Sequence, residues 1–299
     1  MKILLLGKGG QVGWELQRSL APLGAVLALD FDSTEGCGDF TRPEDLAATV
    51  RDYAPQIIVN AAAHTAVDRA ESEPELARLI NATAPAALAR ESQALGAWLV
   101  HYSTDYVFDG SGQQPWRESD VPAPLSVYGQ TKLEGERAIQ AGCQRHLIFR
   151  TSWVYAARGS NFAKTMLRLA GEREQLQVID DQIGAPTGAD LLADITALSL
   201  RQLMSDRHPG AGAGLYHLAA AGQTSWHGYA SHVIEQARRV KPELALRVRE
   251  IRPVPTSAFP TAARRPHNSR LDTSQLRARF GLTLPPWQQG VDRMLAEIL

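Results

Sequence analysis

The chain has 299 residues, of which 44% are hydrophobic and 21% charged, enough to bury one large core with a smaller lobe attached. A formal net charge of −1 supplies no basic field for nucleic acid or an acidic membrane surface, and the two cysteines, Cys37 and Cys143, have neither metal-ligand nor redox spacing. No segment approaches the run of about 18 apolar residues that a membrane span requires, and the N-terminal apolar run is too short for a signal segment, so a cytoplasmic protein is expected.

Lys2 to Leu6 reads as a short buried strand running into the turn Gly7-Lys8-Gly9-Gly10-Gln11-Val12-Gly13. A helix is expected next, because Val12, Leu16 and Leu20 recur at four-residue intervals and give one apolar stripe. Gly7, Gly10 and Gly13 allow a tight turn and close approach of a ligand, and the helix N-terminus offers unpaired N–H groups to a pyrophosphate. The spacing departs from the usual G-x-G-x-x-G, and a plain glycine-rich turn is the competing explanation. The second strand, roughly residues 25–29, ends in Asp30, about twenty residues past the glycines, where a carboxylate accepts from an adenosine ribose hydroxyl. Asp30 favours NADH, whereas Lys8 inside the turn can neutralise the extra phosphate of NADPH. Both cofactors are therefore expected to be usable.

Ile57 to Asn60 is a further apolar strand, followed by Ala61-Ala62-Ala63-His64-Thr65, whose small residues let a cofactor lie against the backbone. Residues 73–95 read as one long helix, with a kink expected at Pro85. Residues 97–102 form another strand, ending in Ser103-Thr104-Asp105, where ligands bind in open sheets. Tyr128 and Lys132 then lie four residues apart on one helix face. A phenol beside an ammonium is expected to have a lowered pKa, suited to protonating a carbonyl oxygen. By itself the pair is a weak signal, better explained by two residues sharing a solvated helix face; the upstream strand, turn, helix and acid favour the chemical explanation.

Strands alternating with helices predict an α/β fold, a doubly wound parallel sheet of Rossmann type. Residues 1–150 are expected to form a dinucleotide-binding domain completed by later segments, and residues 151–299 a smaller, interleaved substrate-binding lobe. Within the latter, a strand from near Leu147 closes through Tyr155, a helix covers 161–170, and 177–187 reads as strand and turn. Residues 251–270, rich in Pro and Arg, read as an irregular but ordered wrap. Trp153, at a strand end, is placed to stack on a sugar face, with a core tryptophan as the rival explanation.

The glycine turn, Asn60-Ala61-Ala62-Ala63, Ser103-Thr104-Asp105-Tyr106, Tyr128-x-x-x-Lys132 and Arg265-Pro266-His267-Asn268-Ser269 together resemble the extended short-chain dehydrogenase/reductase family. The strings GQVGWELQ, NAAAHTAVD, HYSTDYVF, VYGQTKLEGE and FRTSWVY are similar to the branch that reduces the 4-keto group of dTDP-4-dehydro-L-rhamnose to dTDP-L-rhamnose, a precursor of bacterial surface polysaccharide. The likeness runs through essentially the whole chain.

The resemblance implies Tyr128 as proton donor to the substrate oxygen, Thr104 as hydrogen-bonding the same oxygen, and Lys132 as tuning Tyr128 and binding the nicotinamide ribose. It implies cofactor contacts from Gly10, Gln11, Val12, Asp30, Asp39, Phe40, Ala63, His64, Thr65 and Tyr102, with Asp39 and Phe40 at the adenine, beside the turn glycines Gly7 and Gly13. His64 reads equally well as a satisfied loop histidine. Asp105 and Trp153 are implied at the substrate. Arg265 and Arg270 are candidates for the dTDP pyrophosphate, with ordinary surface pairing as the alternative.

A 4,6-dehydratase needs an acid and base after the threonine, where this chain has Asp105 and Tyr106. Another nucleotide-sugar reductase or an epimerase is the enzymatic alternative, and a dinucleotide-binding regulatory subunit the non-enzymatic one. Retention of Thr104, Tyr128 and Lys132 favours an enzyme. The resemblance also associates magnesium with a contact between subunits of a homodimer; Glu15, Asp190 and Asp292 are candidate carboxylates, against the simpler explanation of solvated surface acids. The sequence leaves the metal open.

Overall fold

The computed structural model describes residues 1–206 and 210–299. Lys2–Leu6 (β1), Ala25–Leu29 (β2), Ile57–Asn60 (β3), Trp98–Thr104 (β4), His146–Thr151 (β5) and Gly214–His217 (β6) form one sheet in the order β6-β5-β4-β3-β1-β2. Every pairing in it is parallel. Helices follow in chain order as α1 (Gln11–Leu20), α2 (Pro43–Tyr53), α3 (Ala84–Leu95), α4 (Val127–Gly142), α5 (Phe162–Glu172), α6 (Ala189–Ser205), α7 (Trp226–Val240), α8 (Ser274–Phe280) and α9 (Trp287–Ile298).

The two-residue period of a strand sends Ile3 and Leu5 to one face of the sheet and Leu4 and Leu6 to the other. On the first face lie Leu16 and Leu20 of α1, Leu192 and Leu200 of α6, and Leu276 and Phe280 of α8. The second is covered by Leu46 and Val50 of α2, Leu88 of α3 and Ile139 of α4. This is the doubly wound sheet that the alternation predicts. β1 has β2 on one side and β3 on the other, so the connections leave it in opposite directions and their carboxyl ends open a crevice there.

Three differences from expectation have local causes. β4 runs through Ser103 and Thr104, because Thr104 still pairs with Thr151 of β5. The long helix over 73–95 is interrupted before its proline: residues 74–78 are α-helical, Leu79–Thr83 form a π turn, and Ala84 N–H reaches Leu79 O. Pro85 has no N–H to return to the carbonyl of Asn81, and the backbone widens one turn earlier. The wrap over 251–270 begins as a strand, Glu250–Val254, parallel to Gln175–Ile179.

The second lobe packs Tyr229 and Val233 of α7 against Trp287, Val291 and Leu295 of α9, with Met166, Leu176, Val178 and Ile234 in an adjoining cluster. Residues 189–205, 214–217 and 274–284 return to the sheet. Among the described residues no helix is long and apolar enough to cross a membrane.

Candidate active site

The carboxyl ends of β1 to β5 open on one cleft of about 560 Å³. The turn after β1 forms its first edge. Gly7 has φ +87°, and a Cβ there would meet the backbone nitrogen of Ala62 at 2.7 Å, so the turn lies directly on the loop after β3. Gly10, Gln11 and Val12, at the start of α1, line the cleft. Gly13 does not: its α-carbon faces the carbonyl of Gly7, 1.9 Å from where a Cβ would stand, so it is a packing glycine between helix and turn.

Asp30 lines the cleft and braces the turn, accepting from Gly9 N–H at 2.9 Å and from Phe31 N–H at 3.0 Å. Ala63 and Thr65 also line it, whereas His64 is turned away. Asn81, inside the π turn, accepts from His64 N–H at 2.8 Å and donates to its carbonyl at 3.1 Å and to Thr131 Oγ1 at 3.1 Å. His64 thus ties the loop after β3 to α4. Asp39 and Phe40 do not reach the cleft wall: the Asp39 carboxylate accepts from Thr41 N–H and Oγ1 at 2.8 and 2.7 Å, and Phe40 is buried with Leu46 and Val50.

Ser126 caps α4, its hydroxyl accepting from Gly129 N–H at 3.2 Å, and this sets Tyr128 in the first turn facing the end of β4. Thr104 Oγ1 faces the Tyr128 phenol, donates to Asp105 Oδ1 at 3.2 Å and accepts from Tyr106 N–H at 3.2 Å. Tyr106 meets the Tyr128 ring edge-on, with centroids 5.6 Å apart. The expected lowering of the Tyr128 pKa is not found. Burial raises it, Thr104 opposes the rise, and Asp105 and Tyr106 add to it. Lys132 is not among the groups that shift Tyr128: its Nζ lies against β4, donating to Tyr102 O at 2.6 Å beside His101 Nε2 at 3.2 Å.

Burial pushes Lys132 down to about 8, with Glu136 one turn along pulling the other way. Glu136 is itself held by Arg150 of β5 in a buried two-pronged pair at 2.8 and 2.6 Å. Burial also raises Asp105 to about 6, against hydrogen bonds from Ser269 and Thr104, and its Oδ2 is buried without a partner. Tyr102 contributes its carbonyl to Lys132 while its phenol bonds Thr196 at 2.6 Å.

Trp153 lines the cleft from a left-handed backbone, φ +49°, just past β5. Neither rival expectation describes it fully: one ring face is stacked on Trp226 at 3.7 Å, and Gly184, being without a side chain, makes room for the indole. Trp226 Nε1 donates to Gln182 at 3.0 Å. Arg265 lies at the rim, paired with Asp68 at 2.6 Å and 3.4 Å from the Tyr106 hydroxyl. Arg270 bonds Gln223 and Asn268 and lines neither this cleft nor its neighbour.

Tyr106, Trp226 and Arg265 also border a second cavity of about 690 Å³, floored by Phe162, Met166, Leu169, Leu176, Val178 and Phe259. The cleft and this more apolar trough therefore meet at these three residues. Trp226, Asn81 and His101 carried no local signal, because what matters in them is the partner each meets across the fold.

Glu15, Asp190 and Asp292 each have a cationic or histidine partner, Arg18 at 3.4 Å, Arg293 at 3.6 Å and His232 at 2.6 Å. Among the described residues no group of three or more His, Cys, Asp or Glu side chains is arranged to hold a metal. The carboxylates named from the sequence do not form a magnesium site in the described chain.

The family model described as the RmlD substrate binding domain matches residues 1–299. The dTDP-4-dehydrorhamnose reductase of Escherichia coli K12 is 61% identical, over 100% of this chain and 98% of its own. A crystal structure of a dTDP-4-dehydrorhamnose reductase from Clostridium acetobutylicum superposes with a TM-score of 0.89 at 33% identity, covering 100% of this chain and 99% of that one. That of the Bacillus anthracis enzyme in complex with NADP gives 0.87 at 34% identity, over 99% of each chain.

Proposed function

Since the chain belongs to the RmlD substrate binding domain family, we propose that it is an NAD(P)H-dependent oxidoreductase that reduces the 4-keto group of dTDP-4-dehydro-β-L-rhamnose to dTDP-β-L-rhamnose, the last step of dTDP-rhamnose synthesis. One observation carries the reading: the Tyr128 phenol, with the Thr104 hydroxyl bonded to it, and the Lys132 amine border the same cleft as the glycine turn and Asp30. The nicotinamide cofactor supplies the hydride. Tyr128 gives the proton to the substrate oxygen, and Thr104 donates to that oxygen as charge grows on it. Lys132 returns a proton to the tyrosinate and holds the nicotinamide ribose.

Gly7, Gly10, Gln11 and Val12 would cradle the pyrophosphate of the cofactor, and Asp30 its adenosine ribose. Ala63, Thr65 and the Tyr102 backbone would flank the nicotinamide end. Asp105 and Trp153 would meet the sugar, Arg265 the dTDP phosphates, and the apolar trough the base. The division into a dinucleotide-binding part, residues 1–150 with later additions, and a substrate-binding part from 151 onward belongs to this reading, as do a cytoplasmic location and a homodimer.

The test is oxidation of NADPH and NADH by the purified protein with dTDP-4-dehydrorhamnose, with formation of dTDP-rhamnose as the expected outcome. Epimerisation without net cofactor oxidation, or binding of cofactor with no turnover, would select the epimerase or the regulatory subunit instead.

A further inference from the structure

The hydrogen bonds behind Lys132 have room for one proton fewer than a charged lysine requires. Ala62 N–H donates to Asn60 Oδ1 at 3.0 Å, which orients the carboxamide and leaves its NH2 group to meet His101 Nδ1, also at 3.0 Å. An amide nitrogen donates and does not accept, so Nδ1 is the acceptor and carries no proton. His101 is 1% exposed, and burial with Lys132 nearby holds it well below the ordinary histidine range. The ring is therefore neutral, and its single proton sits on Nε2, 3.2 Å from Lys132 Nζ. A ring N–H facing an ammonium would set donor against donor.

We propose that His101 donates from Nε2 to the Lys132 amine whenever that amine is uncharged, and is thus a positioning residue that favours the proton-depleted form of Lys132 in the free protein. This rests on the reading of Lys132 as the proton source for Tyr128. The amine also donates to Tyr102 O, so one lone pair and one N–H are both used. The other groups facing Lys132 are on its own helix, Glu136 one turn on and Tyr128 one turn back; Arg150 of β5 already occupies both oxygens of Glu136. Among the described residues no carboxylate pairs directly with Nζ, and the burial that lowers Lys132 acts in the same direction.

The proton count closes around a cycle. Tyr128 loses a proton to the substrate oxygen, the Lys132 ammonium restores it, and the product is the free amine that His101 accepts as a partner. A proton from water then recharges Nζ. Recharging removes the lone pair that His101 was donating to, while the donation to Tyr102 O on β4 remains.

The ring nitrogens of His101 are read directly by 15N NMR of the full-length protein labelled at histidine, with the signal assigned by its loss in His101→Gln. At about pH 7 the expected result is a protonated Nε2 and an unprotonated Nδ1, and a protonated Nδ1 overturns the proposal. Kinetics give the second measurement. His101→Leu removes the donor that favours the neutral amine, so the alkaline limb of kcat/KM should move up by about half a pH unit or more. His101→Gln keeps an acceptor for Asn60 and an N–H for Lys132, and should restore the limb towards its parent position, near the lysine value of about 8. An unmoved limb in folded His101→Leu also overturns the proposal. If that variant does not fold, the NMR assignment in the parent protein decides the matter. The NMR measurement needs no substrate, so a wrong substrate and a wrong hydrogen-bond direction give different failures.

Discussion

On the floor of the cleft, Asn60, His101, Lys132 and the Tyr102 carbonyl are joined by buried hydrogen bonds of 2.6 to 3.2 Å, whereas the wall holds Trp153 against Trp226 through a ring contact at 3.7 Å, with Phe162 of the adjoining trough 4.6 Å from Trp226. Hydrogen bonds are directional, so a change on the floor alters which atom holds a proton. Ring contacts are graded and scale with area, so a change on the wall alters affinity and stability together. The comparison predicts that floor substitutions act on turnover and pH dependence, and wall substitutions on KM and melting temperature.

The largest effect is expected at Tyr128. Tyr128→Phe should lower kcat by about 10²–10⁴ while cofactor affinity, followed by fluorescence titration, stays nearly unchanged. Turnover within about threefold of the parent would remove Tyr128 from the floor's chemistry.

Arg150→Met tests the floor's support. It strands Glu136 as a buried, unpaired carboxylate beneath Lys132, and should cost about 3–5 kcal/mol of stability by urea unfolding. A loss under about 1 kcal/mol would mean that water reaches Glu136 and that the floor is softer than its burial implies.

On the wall, Trp153→Ala should raise KM for the keto sugar and also lower stability by about 1–3 kcal/mol, because the ring both borders the cleft and stacks on Trp226. A change in only one of the two quantities would break the comparison. Trp153→Gly should be less destabilising than expected from its lost contacts, since glycine accepts the φ of +49° at no steric cost.

Asp105 sharpens the contrast through pH. Its folded pKa of about 6 lies above the ordinary 3.8, so folding disfavours the ionised form. The penalty is full above pH 6 and fades as pH falls from about 6 towards 3.8. Asp105→Asn should therefore stabilise the protein by about 1–2 kcal/mol at pH 8 and not at all near pH 4, as read from melting curves across that range.

The smallest effect is expected at the edge where the glycine turn meets β2. Asp30→Ala should weaken NADH several-fold more than NADPH, since an acceptor for the ribose hydroxyl is lost while repulsion of a 2′-phosphate is relieved. Equal losses in the two titrations would leave Asp30 only its structural bond to Gly9 N–H.

Local features of the chain were legible because they depend on few neighbours. The glycine turn, Asp30, the cap at Ser126 and the Tyr128–Lys132 spacing each sit within a strand, turn or helix whose pattern covers a dozen residues. The same locality misled where the spacing alone was asked to supply an interaction. Tyr128 and Lys132 do share a helix face, yet the amine turns to β4, which lies about thirty residues away in sequence, and the phenol rises in pKa instead of falling. Gly13 is expected at the ligand from the glycine turn, and His64 and Phe40 from the resemblance; in the structure Gly13 packs against Gly7, His64 bonds Asn81 and Phe40 is buried with Leu46.

By itself the sequence determined the parallel doubly wound sheet, the crevice at the carboxyl ends of its strands, and the set of groups able to protonate a carbonyl beside a dinucleotide, since periodicity and turn chemistry act over short range. Tertiary structure alone decided which way each of those groups faces and what charge it can carry. Asn60, His101 and Lys132 come from two strands and a helix, and only their burial against one another sets the direction of the hydrogen bonds between them.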